Sequence, residues 1–370
     1  MKKTLIALTM TAFAATSANA FTLYRDDSTN ISLYSSVRVM LAKLENNRPD
    51  LLNDGSRFWF NANQKFGDDW SAFGAAQLRP STQYDDNFSS GFYTHRLYAG
   101  LKHQDIGQIS FGNQSTMGTK FKVSGFANKF GAITRAGVAY PGSDTYRTYG
   151  RTQLGLDTSA KKDIHIETVP INGFTFGADY IFGKKRQYRN YKGKPYSSEK
   201  GWQLGVLHYK RIDDFRIKTN VVYAEHRNQF IDYDHRNNPA IHGNIRLKQS
   251  LGAGFGVDYK DFNFGIDYIH DKIKLDDGFK NSQTSWQVGA KYYVSYPWDV
   301  YAVYRHTKYP KSHATAPNQY VKNNGFAIGT DYKITKRIKT FLEYATNKAS
   351  NDHETPDRQN GYYAGFRVDF

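Results

Sequence analysis

The sequence predicts an all-β protein, a 16-stranded antiparallel transmembrane β-barrel. Three observations predict it. Apolar and polar residues alternate by twos along run after run, and the links between the runs alternate short and long. A polar average, with mean hydropathy −0.68, coexists with 28 Tyr and 25 Phe in 370 residues. Period-two alternation marks a strand with two unlike faces. A polar chain rich in aromatics, with apolar-out and polar-in strands, fits a barrel whose rims carry aromatic girdles. After residue 20 no stretch is long and apolar enough to cross a bilayer as a helix.

From the N-terminus, Met1-Lys2-Lys3 is a short basic start, Leu5 to Ala15 an apolar run, and Ala18-Asn19-Ala20 a small-residue cleavage site. Residues 1–20 therefore read as a secretory signal peptide, and 21–370 as the mature barrel beginning near Phe21. The chain has no cysteine, which excludes disulfides, zinc–thiolate sites and thiol nucleophiles. The alternating runs place strands near 30–43, 56–66, 69–79, 93–103, 107–113, 163–169, 173–183 and 201–211. They continue near 214–227, 248–260, 262–274, 283–295, 298–309, 323–335, 337–348 and 361–370.

Links such as Gly67-Asp68, Gln104-Asp105-Ile106, Ile212-Asp213, Asp261 and Tyr296-Pro297 are tight, whereas 44–55, 80–92, 114–162, 184–200 and 228–247 are long. This alternation means that every strand pairs with its sequence neighbour and that the two ends of the sheet differ. An open meander of sixteen strands leaves two exposed edges, so the first strand is expected to close against the last. In the last strand Tyr362, Ala364, Phe366, Val368 and Phe370 fall on one face and are expected to meet lipid or a neighbouring subunit. The same parity sets Phe174, Phe176, Ala178 and Tyr180 against Thr175, Gly177 and Asp179, and Phe262, Phe264, Ile266 and Tyr268 against Asn263, Gly265 and Asp267. The charged face needs water, and a barrel of about sixteen strands is wide enough to hold it.

Four stretches, SVRVML with GSRFWFNANQKFGDDWSAFGAAQLRP, HRLYAGLK, ISFGNQSTMG and INGFTFGADY, together with the terminal Phe370, resemble the general diffusion porins of Gram-negative outer membranes. The likeness is greatest to the major porins of the Pasteurellaceae. It implies passive transport of small hydrophilic solutes and ions, a homotrimer, and a constriction loop folded into the lumen at 114–162. It also implies that the barrel-assembly machinery reads Phe370.

Selectivity in such a channel follows the fixed charges at its narrowest point. Parity turns Arg38 inward with Ser36 and Met40, Arg57 with Trp59 and Asn61, Arg79 with Gln77, and Arg96 with Thr94 and Tyr98. Arg367 joins them from the closing strand, which makes one basic wall on five adjacent strands. The resemblance supports Arg57 and Arg96 in that role, and parity alone supports the other three. Many relatives carry an acidic motif on the loop; here Lys120, Lys122, Lys129, Arg135, Arg147 and Arg151 stand against Asp144 and Asp157. With wall and loop both basic and no acidic partner to offset them, the channel is expected to prefer anions.

Removing Lys2 and Lys3 leaves 48 basic against 34 acidic residues, a net of +14. An exported barrel meets no cytoplasmic nucleic acid, so the expected partners are outer-membrane lipid, lipopolysaccharide phosphates and small anionic and neutral solutes. The run Lys184-Lys185-Arg186 with Arg189, Lys192 and Lys194 reads as an outward polyelectrolyte patch. There is no G-x-S-x-G, H-E-x-x-H or G-x-x-x-x-G-K-[ST]. His235 with His242 and His306 with His313 lack ligand spacing on one strand face, so no enzyme, cofactor or metal is expected. Two alternatives stay open: a channel specialised for one class of anionic nutrient, and a barrel acting mainly as a surface adhesin. Inward aromatics Tyr34, Trp59, Tyr98, Tyr293 and Tyr363 look scattered, which favours the general pore.

Overall fold

A computed structural model describes residues 20–45, 47–81, 91–130, 156, 161–182, 200–229, 245–275, 278, 280–308, 322–350 and 358–370. Eighteen strands are formed among them: β1 (Phe21–Arg25), β2 (Thr29–Leu44), β3 (Asp50–Asn53), β4 (Arg57–Phe66), β5 (Trp70–Pro80), β6 (Phe92–His103), β7 (Gly107–Gln114), β8 (Lys161–Thr168) and β9 (Phe174–Phe182). The second half holds β10 (Lys200–Ile212), β11 (Phe215–Gln229), β12 (Ile245–Tyr259), β13 (Phe262–Leu275), β14 (Lys280–Ser295), β15 (Trp298–Lys308), β16 (Lys322–Lys333), β17 (Ile338–Ser350) and β18 (Gln359–Asp369).

From β4 onward each strand pairs antiparallel with the next. β18 then pairs with β2, from Gly361 opposite Leu44 to Asp369 opposite Ser36, and the barrel closes. Eighteen strands make sixteen staves because two staves are each built from two pieces. β1 continues the line of β18 along one edge of β2, with Phe370 N donating to Ser35 O at 2.8 Å at the junction. β3 and β4 lie end to end along the other edge, broken at Asp54-Gly55-Ser56. There Asn53 Oδ1 accepts the amides of Gly55 and Ser56, and Gly55 takes φ +81°, a left-handed value that suits glycine.

These two short strands go beyond the sequence expectation, which treated 44–55 as a link and placed the first strand near 30–43. The other boundaries agree to within a few residues. Closure pairs β2 and β4 to β18 along both edges among the described residues, with the short β1 and β3 each paired to β2, and pairing on both edges is the condition for placing strands in a solvent that offers no hydrogen bonds.

The outer face is apolar. Phe174, Phe176, Tyr180, Phe262, Ile266, Tyr268, Tyr362, Phe366 and Phe370 are exposed, as parity predicts. The inner face buries Gln77, Asp163, His165, Glu167, Asp179, Gln203, Asp267, Gln287, Asp299 and Glu343.

One expected parity is corrected. β5 and β6 slip register between Gln77 and Leu78, so Gln77 faces Arg96, Leu78 faces Thr94, and His95 is the extra residue of a bulge. Beyond the bulge the faces exchange. Tyr93, opposite Arg79, stands on the side of Arg96, and Thr94 does not.

Candidate constriction site

The chain leaves β7 at Gln114 and crosses the inner wall as a strap. A short 3₁₀ turn, Met117–Thr119, opens it. The strap then meets the staves nearly in sequence order. Met117 N donates to Asp179 Oδ2 on β9 at 2.7 Å, and Gly118 N to Gln203 Oε1 on β10 at 2.8 Å. Phe121 O accepts from Asn220 Nδ2 on β11 at 3.0 Å. Val123 N and Ser124 N donate to Asp267 on β13 at 3.0 and 2.9 Å, and Ser124 Oγ donates to the same carboxylate. Asn128, Lys129 and Phe130 aim three successive amides at Glu343 on β17, at 2.7, 3.0 and 2.8 Å. Arg305 on β15 donates to Phe130 O at 3.0 Å and lies 4.4 Å over its ring. Three buried carboxylates thus take up backbone donors of a segment that has no sheet ladder of its own. A buried donor without an acceptor costs about 1–3 kcal/mol, so each clamp has a reason to persist.

Packing reinforces the clamps. Met117, Phe121 and Leu156 are fully buried against Val222, Ala224 and Ile269. Ala127 and Phe130 pack with Tyr301, Val303, Ala327, Phe341 and Tyr363. These apolar side chains sit on an inner face because the strap covers them. Glycine supplies the room: a Cβ on Gly254 would stand 2.5 Å from Phe121 O, one on Gly265 2.5 Å from Val123 O, and one on Gly325 2.5 Å from the Phe130 ring. Gly256 and Gly265 are cross-strand partners, as are Gly265 and Gly289, so the bare strip runs across staves at the level of the strap. This strip was visible in the sequence as glycines at inward parity.

Opposite the strap, the register brings the expected arginines together. Arg367 on β18 faces Arg38 on β2 directly, and Ser36, two residues from Arg38, faces Arg57 on β4. Arg57 lies in the electrostatic range of Arg38, Arg79 and Arg367, and Arg79 in that of Arg96. Arg96 lies 5.3 Å over the Trp59 ring. Arg57 Nε donates to Gly55 O at 3.0 Å, Arg79 Nε to Gln77 Oε1 at 3.0 Å and Arg38 Nε to Ser36 Oγ at 2.6 Å. Arg96 Nε and Arg367 Nε are buried without a hydrogen-bond acceptor.

The expectation that no carboxylate offsets this wall is corrected. Asp369 lies 3.9 Å from Arg38, and it also accepts from Tyr34 and Ser36 at 2.7 and 2.6 Å. Asp54 lies within range of Arg367 and pairs with Lys129 at 2.8 Å. The strap's lysines are also partly engaged. Lys120 pairs with Glu167 on β8, which with Asp179 brackets His165, and Lys122 lies near Asp267. Arg135, Arg147, Arg151, Asp144 and Asp157 lie outside the described residues.

The inward aromatics are less scattered than expected. Tyr34 is the cross-strand partner of Trp59, and Tyr98 follows Arg96 on the same face. Sequence distance hid this, because closure places β2 beside both β18 and β4.

A closed barrel with an apolar exterior, a charged interior and a strap along half of its inner wall defines a membrane channel protein. The chain belongs to the Gram-negative porin family, whose model matches residues 7–352. Over the full length of both chains it is 26% identical to a major outer membrane protein of Pasteurella multocida strain Pm70, and 27% identical to a second from the same species. Its place is the outer membrane. Solved structures share the fold. OmpT, an outer membrane protein of Vibrio cholerae, superimposes with TM-score 0.71 at 16% identity, covering 94% of this chain and 99% of that one. The anion-selective porin from Comamonas acidovorans gives 0.66 at 15% identity, covering 92% and 100%.

Proposed function

We propose that the protein is a general diffusion porin that passes small hydrophilic solutes and prefers anions, without catalytic chemistry. The observation that carries this reading is the arc of five guanidinium groups, Arg38, Arg57, Arg79, Arg96 and Arg367, beside which the described residues place two carboxylates, Asp54 and Asp369. The strap within 114–162 serves as the constriction loop. Because Lys120 and Lys129 pair with carboxylates, the wall contributes more of the field than the strap does; Lys122 adds to it, and Arg135 belongs to the same loop.

The full reading includes removal of residues 1–20, recognition of Phe370 by the barrel-assembly machinery, and a homotrimer. The resemblance supports these three. Cross-linking in native membranes tests the last: a trimer ladder is expected, and monomers alone would refute it. Permeation is tested by liposome swelling with size-matched solutes, where gluconate is expected to enter faster than a cation of equal size; the reverse order would refute the preference.

A second reading has its own support. Tyr34, Trp59, Tyr93 and Tyr98 interleave with the arginines, a surface suited to a solute that carries both an anionic group and a flat ring. A channel specialised for such nutrients would show saturable block of its conductance by them, and a general pore would not.

A further inference from the structure

The stave built from β3 and β4 carries one residue more than its partner. Asn53 faces Val39 and Arg57 faces Ser36, so three residues, Asp54, Gly55 and Ser56, meet two, Val37 and Arg38. In a regular strand, positions three apart lie on opposite faces. The extra residue lets Asp54 and Arg57 both serve the lumen. The break is pinned on each side: Asp54 N donates to Arg38 O at 2.9 Å, Arg38 N to Ser56 Oγ at 2.9 Å, and Arg57 Nε to Gly55 O at 3.0 Å. A carboxylate is thereby set at the centre of the basic wall.

Asp54 lies in the electrostatic range of Arg367, yet the cation in contact with its Oδ1 is Lys129 Nζ of the strap, at 2.8 Å. Lys129 reaches it from two staves away. Its amide, with those of Asn128 and Phe130, is held by Glu343 on β17. Glu343 faces Tyr363 on β18, and Tyr363 faces Ala42 on β2. Along this line Tyr363, Ala42 and Met40 pack in one cluster with Ala127 and Phe130. The end of the strap thus has an apolar seat, and the Lys129 side chain extends from it to the break beside Arg57.

A partly buried carboxylate among several cations offsets the field of whichever cation it holds closest. Held by Lys129, Asp54 forms a neutral pair and its charge is largely withheld from the guanidinium groups. Released, it stands within reach of Arg367 and one residue from the carbonyl that Arg57 holds. One lysine on the strap therefore decides how much of the wall's charge faces the channel.

We propose that Lys129 and Asp54 form a charge lock that determines selectivity: the pair ties the end of the strap to the arginine wall and keeps Asp54 from neutralising Arg367 and Arg57. The selectivity half of this proposal rests on the anion-preferring reading; the tie rests on the contact itself. A lock differs from two independent charges in one respect. Independent charges shift ion preference and leave the strap in place, whereas breaking the lock from either side also frees the strap's end.

The full-length protein in planar bilayers gives both readouts, the chloride-to-potassium permeability ratio and the steadiness of the open level. Lys129→Met is expected to lower the ratio about threefold at low salt, and Asp54→Asn to raise it by a similar factor. Both variants, and the two combined, are expected to show frequent substates. The exchanged pair, Lys129→Asp with Asp54→Lys, is expected to recover the steady level. Neutral variants that keep a steady level would overturn the lock, and so would an exchanged pair no steadier than the combined neutral variant. Single variants whose ratios do not move in opposite directions would overturn it as well. A wild-type channel that favours potassium would instead refute the anion-preferring reading, and it would leave the opposite shifts and the recovery by exchange to stand as evidence for the lock.

Discussion

The two halves of the inner wall present charges of opposite sign and end in opposite states. From β9 to β17 the wall presents Asp179, Asp267 and Glu343, and all three are committed to amides of the strap. From β18 through β2 to β6 it presents five arginines whose partners are mostly neutral oxygens, with two carboxylates nearby. The acidic half spends its charge on holding a loop, where a carboxylate bonded to several backbone donors is strongly stabilised. Among the described residues the basic half binds no loop amides, so on the proposed reading its charge is left for the lumen. Net charge in a channel therefore depends less on which residues line it than on which are already occupied.

Detaching the strap tests the acidic half and should have the largest effect. Asp267→Leu with Glu343→Leu strands the amides of Val123, Ser124, Asn128, Lys129 and Phe130, at about 1–3 kcal/mol each if they stay buried. Single-channel records should change from one steady level to frequent substates, and a steady wild-type level in the variant would show that packing alone holds the strap.

Filling the glycine strip is a smaller push on the same element. Gly265→Val places a Cβ 2.5 Å from Val123 O, whereas Gly74→Ala on the outer face meets nothing closer than 3.8 Å. The first should cost about 1–3 kcal/mol and change conductance by pushing the strap toward the lumen, and the second should be silent. Thermal midpoints of heat-modifiable mobility, read beside conductance, separate the two.

The smallest expected effect concerns a group remote from both halves. In the turn between β1 and β2, the Tyr24 hydroxyl and the amides of Thr29 and Ser28 hold the Asp26 carboxyl down to about 2. A depressed carboxyl stabilises the fold above its ordinary value near 4, and that contribution is lost as pH falls from there through about 2. Asp26→Asn should therefore leave stability nearly unchanged at pH 2 and lower it slightly at pH 7. An equal loss at both pH values would contradict the assignment.

Much of the barrel was legible because period-two alternation and link lengths are local signals that closure in lipid then makes binding. The arginine wall was legible for the same reason, since parity carries Arg38, Arg57, Arg79 and Arg367 inward. The bulge at His95 was not, because one extra residue reverses parity without altering composition. β1 and β3 were missed because strands of five and four residues carry too few alternations to stand out. The strap's path was hidden for a different reason: residues 115–130 have no periodicity, and the backbone clamps that position them lie on six other strands, β9, β10, β11, β13, β15 and β17. Its one advance trace was the inward glycines, residues without a side chain on a face that otherwise alternates polar groups.

The central claim is that the arginine wall sets the charge preference. Two unit charges about 8 Å apart at an effective dielectric of 20 interact by about 2 kcal/mol, enough for a tenfold bias, and salt screens it over about 10 Å at 0.1 M but about 3 Å at 1 M. Reversal potentials of the purified channel in potassium chloride gradients, for wild type and for Arg57→Ser with Arg96→Ser, test it most directly. Chloride should be favoured, most strongly at low salt, and the double variant should lose most of that preference. A wild-type channel that favours potassium, or a double variant with unchanged reversal potential, would contradict the claim.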